Sequence, residues 1–341
     1  MINTVYRLVS PKLFEEIYDE AEDLENNVVV RPTYLSICQA DQRYYNGSRD
    51  PETLAEKLPM ALIHEGIGEV VSDNTGTFRV GELVVIIPNT PMEKDEVISE
   101  NYLESSKFRA SGFDGFMQDY IISNPERLVK LPNNINKEVA SFTELISVSV
   151  HSITRFSKIS HNRKDKIGIW GDGNLGYITS LLLKIFFPES KIIIFGKNEE
   201  KLNIFTFADE TFKINEVPQD LRVDHAFECV GGRGSQLAVD QIIDLINPEG
   251  TISLLGVSEY SVPINTRMIL EKGLFLFGTS RSGRKDFIKT IGLFEKYPKI
   301  LKYLENIVND VVEINSLNDI NLAFERDFNS DFGKTVLVWK K

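Results

Sequence analysis

Cysteine is nearly absent from this chain: of 341 residues, two carry a thiol, Cys38 and Cys229. Two thiols cannot build a disulfide framework, and their scarcity fits a reducing compartment. No apolar run approaches the roughly 18 residues that a membrane-spanning helix needs, and the opening MINTVYRLVSPKLFEEIYDE lacks the basic-then-apolar pattern of a secretory signal. Basic residues are in deficit, 38 Lys and Arg against 50 Asp and Glu, for a formal net charge of −12. Contacts to nucleic-acid phosphates need a basic face, so this balance argues against nonspecific nucleic-acid binding while leaving room for a locally basic pocket around a small anion. Fixed-period repeats and low-complexity tracts are also missing. The expectation is a cytoplasmic globular protein, and 42% apolar content over this length supports two cores of ordinary size.

What is present is organised around residues 166–176, KIGIWGDGNLG. A strand-like stretch at 167–170 runs into a glycine-rich turn, and 177–183 continues at helical spacing. Gly171 serves the tight turn, Gly173 lets a pyrophosphate approach the backbone, and Gly176 lets helix and strand pack closely. Asn174 and Leu175 sit where the helix begins, and that end offers unpaired N–H groups and a positive dipole end to phosphates. About 20 to 25 residues on, where NAD enzymes place Asp or Glu on the ribose hydroxyls, this chain has Phe195, Gly196 and Lys197. Without that carboxylate a 2′-phosphate there meets no repulsion, and Lys197, with Lys201 one turn on, can pair with it. NADPH is therefore the expected cofactor, although Glu199 and Glu200 weaken the local positive field and a solvated helix start is the alternative.

Up to about residue 130 the chain reads as short strands and irregular connections, with β-rich stretches at 27–32, 66–72, 82–88 and 115–122. Residues 89–112 form an acidic, irregular segment without cysteine, which cannot hold a cysteine-ligated structural zinc. After residue 140 the texture alternates. Helices are expected at 144–156, 198–208, 235–246 and 264–271, and strands at 191–195, 226–230, 251–256 and 273–279. Alternation of this kind implies a right-handed parallel sheet. Helices at 285–297 and 299–306 and a closing strand at 334–339 read as a return to the first domain. The expected fold is α/β: a β-rich domain from 1–145 and 286–341, and a doubly wound parallel-sheet domain over 146–285.

Chemistry in the first domain centres on Cys38, His64, Glu65 and Glu144, a thiolate donor, an imidazole and two carboxylates from separate segments. Zinc accepts S, N and O donors, and a catalytic site keeps one position open. Spacing alone leaves a second reading open, a buried structural Cys, a hydrogen-bonded His and two surface glutamates. His161, His225 and His151 carry no partner motif, and Cys229 reads as a small buried hydrophobe.

The His64–Gly68 H-E-x-x-G element, the turn at 78–82, Asp114-Gly115-Phe116, the 144–151 segment and the glycine fingerprint together resemble the zinc-dependent medium-chain alcohol dehydrogenases over the whole chain. More closely, residues 38–45, 171–176 and 227–234 resemble the ribulose-5-phosphate reductases of ribitol teichoic acid biosynthesis, which supply ribitol 5-phosphate for CDP-ribitol. The resemblance implies a GroES-like catalytic domain split around a Rossmann domain, with the active site in the cleft between them. It implies one catalytic zinc held by Cys38, His64, Glu65 and Glu144, no structural zinc, and Asp41 orienting a ligand. A homodimer through the apolar strand at 273–278 and a complex with a cytidylyltransferase are the partners it suggests.

Two departures stand out. Ala40 occupies a position where many relatives carry a proton-relaying hydroxyl, so protonation must use a water held by Glu65 or Glu144, or a substrate hydroxyl. Ile63 replaces the glycine usual before the histidine. For the phosphate of the expected substrate, D-ribulose 5-phosphate, Arg43, Lys107 and Arg109 are the favoured partners, with Arg49, Arg281 and Arg284 also near the motifs; bidentate pairing suits guanidinium to phosphate. The competing readings are a zinc polyol or alcohol dehydrogenase acting on another sugar, and a nucleotide-binding sensor without chemistry.

Overall fold

The computed structural model describes residues 1–20 and 24–341. The chain divides into two compact units, Met1–Ser147 with Arg281–Lys341, and Val148–Ser280. The first unit takes in residues 281–285, expected in the second, because they bond to it: Ser282 to Ser147 at 2.6 Å, and the Arg284 guanidinium to the carbonyls of Glu126 and Leu128 at 2.7 and 2.6 Å.

In the first unit a seven-stranded sheet runs in the order Leu128–Lys130, Leu83–Ile86, Glu65–Asp73, Val28–Ser36, Lys334–Trp339, Val308–Ile314, with Ile121–Ser123 also on Val28–Ser36. The pairing is antiparallel except where Val308–Ile314 lies parallel to Lys334–Trp339 across the helix Leu317–Phe328. Val28, Val29 and Val30 open the central strand and are all buried, as β-branched side chains on a covered sheet should be. Pro32 in the same strand coincides with a register shift, which accommodates its missing N–H. A smaller sheet pairs Leu13–Glu20, Ile2–Ser10 and Met60–Ala61.

The second unit holds six parallel strands in the order Glu210–Lys213, Lys191–Gly196, Lys166–Trp170, Val223–Glu228, Ile246–Leu254, Phe275–Gly278. This is the doubly wound Rossmann order, with its switch point beside Lys166–Trp170. Ile192, Ile193, Ile194 and Phe195 are wholly buried, the continuous apolar run of a strand covered on both faces. Trp170 stacks on Phe195 at 4.0 Å, and its indole N–H donates to Gln241 at 2.9 Å.

Some elements differ from expectation. The helix expected at 198–208 stops at Leu202, because Phe205 and Phe207 turn their rings onto Tyr177, each at 5.1 Å. The stretch 115–122 yields strand at its end alone, Ile121–Ser123; residues 115–117 bond to the carbonyls of 61–63 instead. The strands Leu13–Glu20, Glu210–Lys213 and Val308–Ile314 and the helix Leu317–Phe328 carry too many charges for apolar periodicity to mark them, and Ile2–Ser10 pairs with the first of these as a hairpin. No helix of the described residues is long and apolar enough to cross a membrane.

His225 is completely buried and held in one tautomer. Its Nε2–H donates to the Arg163 carbonyl at 3.0 Å, and its Nδ1 accepts from Thr251 N–H at 3.1 Å. Burial, reinforced by the neighbouring His161 and Lys164, pushes this imidazole down to about 4. Between that value and the ordinary 6.5 the unfolded chain binds a proton that the folded chain refuses, so stability rises with pH across this window. Falling from pH 7 to 4 should therefore remove on the order of 3 kcal/mol through this group. Urea unfolding of wild type and His225→Phe at both pH values checks it: the variant should lack this part of the acid loss, and an identical pH dependence would refute it.

Candidate functional site

The helix Gln39–Tyr45 starts immediately after Cys38, and its third residue, the buried Asp41, turns back on the loops around it. Asp41 Oδ2 accepts from Cys38 N–H at 3.1 Å and Oδ1 from Ile63 N–H at 2.9 Å, so one carboxylate ties together the segments carrying Cys38 and His64. Ile63 adopts φ of 68°, the left-handed conformation natural to glycine. A β-branched residue there costs roughly 1–2 kcal/mol, and burying its whole side chain stabilises by roughly 1.5–3 kcal/mol, so packing wins over strain. Gly115 closes this loop from outside. Its N–H donates to Ala61 O at 2.8 Å, and a Cβ at that position would stand 2.4 Å from the carbonyl oxygens of Leu62 and Ile63.

This framework brings Cys38 Sγ to 3.5 Å from His64 Nε2, and gathers donor atoms of Cys38, His64 and Glu65 within 4.8 Å of one another. Two donors on one tetrahedral zinc, at 2.0–2.3 Å each, lie roughly 3.5 Å apart, so the pair suits that ion. Burial, with the charges of Asp41 and Glu65, pushes the Cys38 thiol well up; a bound cation is what would make it a thiolate.

Glu65 has a partner that the motif did not reveal. The buried Lys334 ammonium lies 3.0 and 2.9 Å from its two oxygens and donates to the Ile37 carbonyl at 2.7 Å. Burial pulls Lys334 down, but the charges of Glu65 and Cys38 outweigh it and the net shift is upward. A lysine opening the apolar strand Lys334–Trp339 was the available signal. Glu144, in the first turn of the helix Thr143–Ile159, is not one of the three converging donors. It is buried, and burial raises its carboxyl to about 7, with Glu65 adding to the rise and His64, Lys334 and Arg281 opposing it.

The sugar-phosphate candidates separate. A cavity of about 580 Å³ in the first unit is lined by Lys107, Phe108, Arg109, Arg127 and Arg281 among others, and Arg43 is not part of its wall. Arg109 spends its guanidinium on the carbonyls of Asp114 and Ile122, at 3.3 and 3.0 Å.

In the second unit, the strand Lys166–Trp170 leads through the glycine turn into the helix Asn174–Phe186. Gly171 has φ of 128°, and a Cβ on Gly176 would lie 2.0 Å from Gly171 O, so neither tolerates a side chain. Around Gly173 a Cβ would meet nothing within 4 Å, the open approach a pyrophosphate needs. Leu175 lies beside this turn in the helix's first residues, and the first intrahelical bond, Tyr177 N–H to Gly173 O, spans them. Asp172, passed over in the sequence, accepts from the N–H groups of Lys197 and Asn198 at 2.7 and 2.8 Å. A Cβ on Gly196 would come within 2.7 Å of that carboxylate. The exposed Lys197 ammonium has no partner among the described residues.

The alcohol dehydrogenase GroES-like domain family matches residues 24–133. Over the full length of both chains this protein is 56% identical to ribulose-5-phosphate reductase of Bacillus spizizenii, and over 99% of both it is 56% identical to ribulose-5-phosphate reductase 1 of Staphylococcus aureus. The crystal structure of S. aureus TarJ in complex with NADPH superimposes with a TM-score of 0.90 at 50% identity, covering 100% of each chain.

Asp41→Ala should strand two buried N–H groups and cost about 2–4 kcal/mol, seen as a lower urea midpoint, with Asp41→Asn intermediate because one acceptor oxygen survives. An unchanged midpoint in Asp41→Ala would remove Asp41 from this role.

Proposed function

The chain belongs to the ribulose-5-phosphate reductase family, and from that premise we propose that it reduces D-ribulose 5-phosphate to D-ribitol 5-phosphate with NADPH at one catalytic zinc. Its product would feed CDP-ribitol formation for teichoic acid. The observation that carries the chemistry is the convergence of Cys38, His64 and Glu65. Cys38 and His64 anchor the metal, Glu65 and Glu144 supply carboxylate donors, and Asp41 orients the loops.

When bound, zinc supplies Lewis-acid polarisation of the ketone and NADPH supplies the hydride. The chain's own residues do the rest. Gly171, Gly173, Asn174, Leu175 and Gly176 cradle the pyrophosphate at the start of the helix Asn174–Phe186. Gly196 leaves room for the Asp172 carboxylate that braces this turn, and Lys197 pairs with the 2′-phosphate. The new alcohol oxygen takes a proton that Ala40 cannot relay; a water held by Glu65 or Glu144, or a hydroxyl of the substrate, supplies it instead. Lys334 restrains Glu65 meanwhile.

Self-association and cytoplasmic residence belong to the same proposal. The strand Phe275–Gly278 ends its sheet with one edge unpaired and Phe275 56% exposed, a surface suited to a second copy. Light scattering should give a dimer at micromolar concentration.

Purified protein should carry about one zinc per chain, and Cys38→Ala should lose both metal and turnover. NADPH should be preferred to NADH, with Lys197→Ala raising the KM for NADPH about tenfold and barely changing that for NADH. Turnover undiminished by complete zinc removal, or equal efficiency with the two cofactors, would overturn the corresponding part of the reading.

A further inference from the structure

We infer that Arg281 and Lys107 form the phosphate end of the substrate site, the two cations that grip the terminal phosphate of a phosphorylated ketose. The inference rests on the proposed reduction of D-ribulose 5-phosphate and adds to it the residues that select the phosphorylated sugar.

Both side chains line the cavity of about 580 Å³. Two other guanidiniums in its wall are already spent: Arg109 on the two carbonyls, and Arg127 on Glu100 at 2.8 Å and the Asn89 carbonyl at 3.2 Å. Arg281 differs. Among the described residues no acceptor takes a hydrogen bond from its guanidinium, which lies over the Phe108 ring with Cζ at 4.6 Å from the centroid. A guanidinium held over an aromatic ring gives up none of its N–H donors to that contact, and its five donors suit a bidentate phosphate. Arg281 also holds φ of 59°, a left-handed conformation unfavourable for a residue with a side chain, of the kind that persists where the surroundings impose it and clusters at ligand sites. Lys107 precedes Phe108 on the short strand Lys107–Phe108, is exposed, and its ammonium has no partner among the described residues.

Phe108 joins this cationic end to the donor cluster. His64 meets the same ring at a steep angle, centroid to centroid 5.1 Å. Arg281 and the His64 ring therefore lie within about 10 Å of one another. In an extended ketopentose phosphate, C2 and phosphorus are separated by five bonds, roughly 6 Å at ordinary bond lengths. A ketone carbon near the His64 cluster and a phosphate on Arg281 are thus compatible with one substrate. Glu144 feels the Arg281 charge as well as that of His64, which ties the two ends electrostatically. The cluster is rich in carboxylates, so a dianion needs these cations at the far end if it is to enter at all.

The test measures kcat/KM for D-ribulose 5-phosphate and for unphosphorylated D-ribulose, and competitive inhibition by inorganic phosphate, in wild type, Arg281→Gln, Arg281→Lys and Lys107→Gln, each carried through as full-length enzyme with its metal content checked. The ratio of the two efficiencies should fall about 100-fold in Arg281→Gln, the factor for losing two charge-assisted hydrogen bonds, with partial recovery in Arg281→Lys. Lys107→Gln, at an exposed position where folding is not at stake, should lower the ratio about tenfold, and inorganic phosphate should inhibit each variant more weakly. A wild type that prefers the phosphorylated sugar while Lys107→Gln and Arg281→Lys keep the full preference and the full phosphate inhibition overturns this inference and leaves the substrate reading standing. A wild type with no preference overturns the substrate reading, and this inference with it.

Discussion

A surplus of buried negative charge governs the first unit. Asp41, Glu65, Glu144 and Asp327 are all buried close to one buried ammonium, Lys334, and the Cys38 thiol stands among them. Charge taken out of water is unfavourable unless it is matched, and one lysine does not match this set. The molecule has two ways to relieve it. Protons can bind, and burial does push Glu65, Glu144 and Asp327 upward; or a divalent cation can enter, turning the thiol and carboxyls into ligands. The loop geometry around Asp41 makes sense in that light, because it holds the donors together against their repulsion. Gln42 contributes from the same helix, its amide donating to Asp327 at 2.8 Å.

What could be read from residue order alone was whatever is local. The glycine turn at 171–176 declares itself through spacing, since Gly171 and Gly176 answer contacts with nearby backbone and Gly173 keeps the approach to it open. The closing strand Lys334–Trp339 and the helices Ser235–Leu245 and Lys299–Glu305 followed from short apolar patterns. Long-range meaning did not. Lys334 is 269 residues from Glu65 in the chain, and nothing near it in sequence says that a carboxylate will be waiting. The same holds for Arg281, whose interest comes from what its neighbours have already used. The four site residues Cys38, His64, Glu65 and Glu144 were found through resemblance more than spacing, and the geometry separates them into three that converge and one that stands beside.

Gly196 shows how a correct residue can have a second reason. It marked the strand end at which the sequence lacks the carboxylate that would meet the ribose hydroxyls. In the fold the space is already claimed by Asp172, whose carboxylate occupies the position a Cβ would crowd and takes up the N–H groups of Lys197 and Asn198. An acidic residue does reach the end of the second strand, but from the fingerprint turn, and it braces the backbone there. The two glycine-bearing segments are therefore one unit of specification: a larger residue at 196 and the loop conformation at 172 exclude each other.

The strand Lys334–Trp339 lies between Val28–Ser36 and the edge strand Val308–Ile314. Synthesis proceeds from the N-terminus, so Val308–Ile314 cannot join this sheet until Lys334–Trp339, made after it, is in place between it and Val28–Ser36. Val148–Ser280 faces no such delay, because its six strands are contiguous in sequence and can pair as they emerge. During that interval residues 34–36 wait without the partner that Val336–Val338 supply, an open strand edge of the kind that chaperones recognise. The donor cluster is equally late to mature: Cys38, His64 and Glu65 are made early, but the ammonium that balances Glu65 follows it by 269 residues.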